Sequence, residues 1–155
     1  MIFQQLTYDE MLQVPRLMEL VQAYTDGANY KSFHKSVDLE LYKALADKGL
    51  LDITAVFDED DAKKLIGFFS LILTRTPHAK DQTIATCDSL FLDEKSRKGM
   101  AGVEFLRQIE DRAKAIGADS LFLATGSGTR AEQLFECLSE RMGIERLSTM
   151  WAIKL

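Results

Sequence analysis

Apolar and polar positions along this chain follow two periods, near 2 and near 3.6, and the switches between them divide it into elements. Residues 2–6 read as a short strand. Thr7 and Glu10 then have the spacing of a capping box, in which a hydroxyl and a carboxylate satisfy backbone donors left free at a helix start. Pro15 lacks an N–H and is tolerated only near a helix start. The main helix is therefore expected over residues 15–24, with Leu17, Leu20, Val21 and Tyr24 as its apolar stripe. A polar stretch, 26–35, carries Tyr30, Phe33 and His34, aromatics that either touch a ligand or cover the core. A second helix is expected over residues 36–48. Asp38 and Glu40 lie in its first turn, at the positive dipole end, and Gly49 stands at its stop.

Residues 51–57, 64–76 and 82–92 read as strands. The acidic run Asp58-Glu59-Asp60-Asp61 forms the first turn between them, and Pro77 interrupts the second ladder. Short and medium connections make an antiparallel meander the natural pairing. Residues 100–116 give the clearest helix. Met100, Val103, Leu106, Ile109, Ala113 and Ile116 form its apolar face, Glu110 and Lys114 pair on the other, and Gly117 stops it. A compact strand at 120–125 and a turn at 126–128 follow. Thr129 and Glu132 then open a helix ending near Gly143, and a final strand is expected within 147–155. This order predicts an α/β (α+β) fold: a mixed, mostly antiparallel central sheet of about six to seven strands, with helices on both faces.

With 155 residues the chain is long enough for one domain, 1–155, and too short for two ordinary ones. A net charge of −5 argues against a nucleic-acid partner. It suits a cationic acceptor such as a polyamine or a lysine-bearing peptide, though serving solubility alone is the favoured reading. Cys87 and Cys137 have no zinc spacing, so no metal is expected. The expectation is two buried free thiols in a reducing cytoplasm. The sequence shows no signal peptide and no apolar run long enough to span a bilayer, which predicts a cytoplasmic protein without a membrane partner.

The candidate chemistry lies after the 82–92 strand. Arg97 and Lys98 stand beside glycines 99 and 102 at the opening of the clearest helix. Helix starts leave N–H groups without partners and carry partial positive charge, so an anion can use both. The glycines would let a pyrophosphate approach the backbone. From the residues alone, a phosphate-binding helix start and a glycine turn flanked by surface cations stand about even. A Walker loop is excluded by the absence of its spacing. A dinucleotide fold is excluded because the turn follows three antiparallel strands.

The stretch from Leu90 to Leu106 resembles motif A of the GCN5-related N-acetyltransferases, the GNAT superfamily. That motif is an apolar strand, then [Q/R]-x-x-G-x-[G/A], then an amphipathic helix. Arg97 matches its first position and Gly102 its last. Met100 occupies the usual central glycine, with Gly99 one place earlier. This variant is similar to a group of short phage and bacterial acetyltransferases. So are Thr76-Pro77-His78, the run Asp88-Ser89-Leu90-Phe91, and the ending with Met142-Gly143-Ile144.

The resemblance implies acetyl transfer from acetyl-CoA, a cosubstrate, to a primary amine of a small molecule or peptide by direct attack. The strand end Leu90-Phe91-Leu92 would meet the pantetheine arm through the Leu90 and Leu92 backbone. The amides of Arg97, Lys98, Gly99, Met100, Ala101 and Gly102 would hold the pyrophosphate. The strand containing residues 121–125 would splay from Leu90–Leu92, with the thioester in the gap.

Amine attack needs a proton acceptor. Asp88 is the first candidate: four residues before Leu92 in one strand, it is expected on the same face. A structural acid is the competing reading. His78, in a strand-ending loop, is the second candidate, against a surface histidine. His34, with Tyr30 and Phe33, would set specificity. Phe135 falls where many relatives carry a tyrosine that protonates the thiolate. That substitution keeps open a non-catalytic coenzyme A-binding module acting through a protein partner. An exposed final strand offers pairing between two copies as a homodimer.

Overall fold

The computed structural model describes residues 1–27, 36–78, 80–125 and 128–147. Its sheet has five strands in the order β1-β2-β3-β4-β5. They are β1 (Ile2–Leu6), β2 (Leu51–Phe57), β3 (Leu65–Thr74), β4 (Ile84–Leu92) and β5 (Ser120–Leu123). β1 to β4 pair antiparallel, as the meander predicts. β5 joins β4 in parallel after a helical crossover. The expected count of six to seven is not reached among the described residues. The remaining strand was expected within 147–155, of which 148–155 lie outside them, and Leu147 is not in a strand.

Among the described residues five helices accompany the sheet: α1 (Tyr8–Leu12), α2 (Leu17–Gly27), α3 (Leu39–Asp47), α4 (Ala101–Ala115) and α5 (Arg130–Met142). The Thr7 capping box forms in full and opens α1, a single turn that the proline argument did not anticipate. α2 starts after Arg16, whose φ of +70° is left-handed, instead of at Pro15. That conformation costs a non-glycine residue about 1 kcal/mol. It is held by the Arg16 guanidinium, which donates to Leu65 O at 2.9 Å and bonds Glu19 at 2.6 Å. Asp38 caps α3 from outside the helix by accepting from Leu41 N, so it is not in the first turn.

Two cores lie on opposite faces of the sheet. On one, α4 buries Phe105, Leu106, Ile109 and Ala113 against Val56, Phe69, Leu71 and Cys87, and α5 adds Leu138. On the other, Met11 of α1 and Leu17 and Leu20 of α2 cover Ile53, Ala55 and Phe68. Met100 was expected on the apolar face of α4 but is 63% exposed, because it precedes the first helical residue. Cys137 is also corrected. α5 turns Leu134 and Leu138 inward and leaves Cys137 exposed, so only Cys87 is buried; both thiols are free. No helix among the described residues is long and apolar enough to cross a membrane.

One buried ion pair ties α4 to the sheet. Asp52, 7% exposed, accepts from Arg112 Nε at 2.9 Å and Nη2 at 2.5 Å, and from Gln5 Nε2 at 2.9 Å. Removing one member of such a pair strands the other charge. Arg112→Ala is expected to lower unfolding stability by about 3 kcal/mol in urea titration, at unchanged m-value.

Candidate functional site

The parallel ladder between β4 and β5 runs from Ile84↔Ser120 to Cys87↔Leu123 and stops there. β4 continues to Leu92, still paired with β3 on its other edge through Ser70↔Ser89, Phe69↔Leu90 and Gly67↔Leu92. Asp93 N–H donates to Ile66 O at 2.7 Å. Backbone direction alternates along an antiparallel ladder, so Phe91 also turns toward β3, and Leu90 and Leu92 turn toward the open side. Gly67 permits this pairing: a Cβ there would meet Phe91 O at 2.6 Å. At the strand end, Arg97 Nε donates to Leu92 O at 2.6 Å, and the guanidinium lies 5.4 Å over the Phe91 ring. The arginine therefore braces the strand end.

A 3-10 turn, Glu94–Ser96, leads from β4 to α4 and is capped by Asp93, whose carboxylate accepts from Lys95 N. Gly99 has φ +55°, which favours glycine, and nothing lies within 4 Å of the place a Cβ would occupy. Thr7, Asp38 and Thr129 cap α1, α3 and α5 with side-chain oxygens, whereas Met100 gives α4 no such bond. The start of α4 thus keeps donors without a side-chain acceptor, beside exposed Lys98 and Met100 and half-buried Ala101. Gly102 also faces a neighbouring helix. A Cβ there would meet Leu134 Cδ2 at 3.0 Å, so its small size serves the contact with α5. Beside the loop lies a cleft of about 400 Å³ lined by Ala23, Phe91, Asp93, Glu94, Arg97 and Arg130.

Asp88 sits at a β-bulge. Ser89 pairs with Ser70 and Cys87 with Leu71, leaving Asp88 as the extra residue. The bulge reverses the alternation, so the expectation that Asp88 and Leu92 share a face is overturned. Leu92 packs into the α4 core, whereas the Asp88 carboxylate accepts a hydrogen bond from Tyr42 OH of α3. Tyr24 OH of α2 donates to the Asp88 carbonyl at 3.3 Å. Burial, and then the Asp88 contact, push the Tyr42 phenol well above the usual tyrosine range.

Tyr42 escaped the sequence argument, and Tyr24 was read only as part of an apolar stripe. The available signal was a serine inside each of two neighbouring apolar strands, Ser70 and Ser89. His78 is not brought to this cluster. It is exposed in the β3–β4 hairpin, beyond the terminal pair Thr74↔Ile84. From Ile84 to Asp88 the strand covers roughly 13 Å at its usual rise. Phe135 packs against the α4 core. Tyr30, Phe33 and His34 lie outside the described residues.

The chain as a whole superposes on solved structures. A soil-metagenome aminoglycoside acetyltransferase, solved with sisomicin, superposes with a TM-score of 0.70 at 12% identity, covering 98% of this chain and 95% of its own. This is the GNAT fold. An acetyltransferase of Trypanosoma brucei matches at TM-score 0.69 and 12% identity, over 99% of both chains. Glucosamine-6-phosphate N-acetyltransferase from Arabidopsis thaliana matches at TM-score 0.66 and 14% identity, over 99% of this chain and 98% of that one. The sequence itself matches no family model and no curated protein. Among the described residues, no group of three or more His, Cys, Asp and Glu could hold a metal ion.

Cys87 lies one residue from the bulge, and burial with a smaller push from Asp88 raises its thiol to about 12. Ellman's reagent at pH 8 is expected to modify Cys137 in the native protein and Cys87 only after denaturation. Native-state modification of Cys87 would mean that β4 opens at the bulge.

Proposed function

We propose that this chain is an N-acetyltransferase that uses acetyl-CoA and a primary amine of a small molecule or peptide. One observation carries the reading: the β4 edge beyond Cys87↔Leu123, with Leu90 and Leu92 turned to the open side, leads directly to an uncapped helix start. An extended amide arm matches such a strand edge by backbone bonding, and a diphosphate matches the helix start. The residues present fit that ligand: space lies open around Gly99, and Lys98 adds positive charge.

Acetyl-CoA supplies an activated acyl carbonyl when bound. The Leu90 backbone and the Leu92 N–H would orient its arm, and the Gly99, Met100 and Gly102 amides would hold its phosphates; the Arg97, Lys98 and Ala101 N–H groups are engaged by Glu94 O, Ser96 O and Lys98 O. Arg97 supports this indirectly, by bracing Leu92 and Phe91. Asp88, exposed at the bulge, is the group assigned to take the amine proton. His78 has no part in this reading, because the hairpin carries it away from Asp88. The net charge of −5 favours a cationic acceptor. The sisomicin complex of one fold neighbour makes aminoglycosides a reasonable part of the acceptor panel.

Isothermal calorimetry with acetyl-CoA tests the binding step, and no heat at millimolar ligand would overturn the proposal. Met100→Glu places a carboxylate where a phosphate is expected, on an exposed side chain. It should leave the melting temperature unchanged and weaken acetyl-CoA binding about tenfold or more. It is a cleaner probe than Gly102→Glu, which would collide with Leu134. Thiol release across amines, peptides and aminoglycosides then tests turnover. Binding without release for any acceptor would favour the non-catalytic module.

A further inference from the structure

Two serines are buried side by side on neighbouring strands of the sheet. Ser70 of β3 and Ser89 of β4 are 3% and 7% exposed, and their hydroxyl oxygens stand 2.6 Å apart. Their strand neighbours on that face are Phe68 and Phe91, packed with the α1 and α2 core. A buried hydroxyl needs a partner and contributes less than an apolar side chain of its size. These two partner each other, and Ser70 lies beside the Tyr42 phenol, acting to lower its pKa. Tyr42 in turn bonds Asp88 Oδ2.

The direction of this chain follows from its end. An ionised carboxylate only accepts, so Tyr42 must donate. The Tyr42 oxygen then keeps its lone pairs for a donor such as the neighbouring Ser70, which can itself accept from Ser89. The hydroxyls align toward one carboxylate and polarise one another. Tyr24 holds the carbonyl of the same residue from α2. Asp88 is nevertheless exposed, and a surface carboxylate requires no such support for folding.

We infer that Tyr42, backed by Ser70 and Ser89, is the positioning residue of Asp88, holding Oδ2 so that Oδ1 faces the acceptor amine. This rests on the acetyltransferase reading above. The titratable groups around Tyr42 are Asp88 on β4 and Tyr24 on α2, with Cys87 reached only through Asp88.

The experiment has two arms. In the first, the full chain without ligand is labelled with [13Cζ]tyrosine and titrated by NMR. Tyr42 is expected to ionise above the usual tyrosine range. In Asp88→Asn, which removes an exposed charge and spares the fold, its midpoint should fall by about one pH unit or more. An unchanged Tyr42 midpoint would overturn the pairing.

In the second arm, Tyr42→Phe is assayed with the acceptor found by thiol release. It should lower kcat about tenfold or more at unchanged KM for acetyl-CoA. Ser70→Ala should produce a smaller loss, and Tyr42→Phe/Asp88→Asn should be no slower than Asp88→Asn alone. Additive losses would overturn the positioning role. A wild-type protein that turns over no acceptor would sink the acetyltransferase reading, while the titration arm still decides whether Tyr42 holds Asp88.

Discussion

The extra residue in β4 is the constraint on which the candidate site depends. Asp88 follows Cys87, the last β4 residue paired with β5, so the bulge falls where the two strands separate. A bulge bends its strand and increases its twist. β4 is thereby redirected while β3 holds its other edge through Leu92, and the four-residue β5 does not follow. The open side of Leu90 and Leu92 results from that redirection. The same extra residue turns Asp88 to the face covered by α2 and α3. A single local irregularity thus creates both a strand edge able to take an extended arm and a carboxylate beside it.

The surrounding contacts resist closure of the gap. Arg97 ties the end of β4 to its own loop through Leu92 O and the Phe91 ring. Arg16, in a left-handed conformation, joins the start of α2 to Leu65 O and to Asp93, 3.5 Å away. Asp52 and Arg112 fasten α4 to β2. Gly102 brings α4 against Leu134 of α5. The helix start that faces the gap is therefore carried on a braced helix. Such bracing suits a site in which backbone amides, which cannot reorient independently, do the binding.

Much of this was legible along the chain because it depends on local rules. The Thr7–Glu10 capping box, the glycine stops at 49, 117 and 143, the meander and the parallel crossover all appear as expected, since each follows from neighbouring residues and their periods. The Leu90 to Leu106 resemblance likewise led to the fold. Some expectations failed where position depends on distant contacts. Met100 fell outside its helix and Cys137 turned outward.

The sequence by itself determined the elements, their order and the glycine-bearing start of α4, because short-range propensity and hydrophobic period suffice for these. The tertiary structure alone decided the chemistry beside it. A bulge is a mismatch between two strands, so one strand read singly gives no sign that Asp88 is the extra residue. Tyr42 lies 46 residues from Asp88, and only the packing of α3 brings its hydroxyl to the carboxylate. His78 lies much nearer in sequence, yet the hairpin carries it away. Proximity along the chain sets secondary structure, whereas the groups that meet at a site are chosen by how the elements pack.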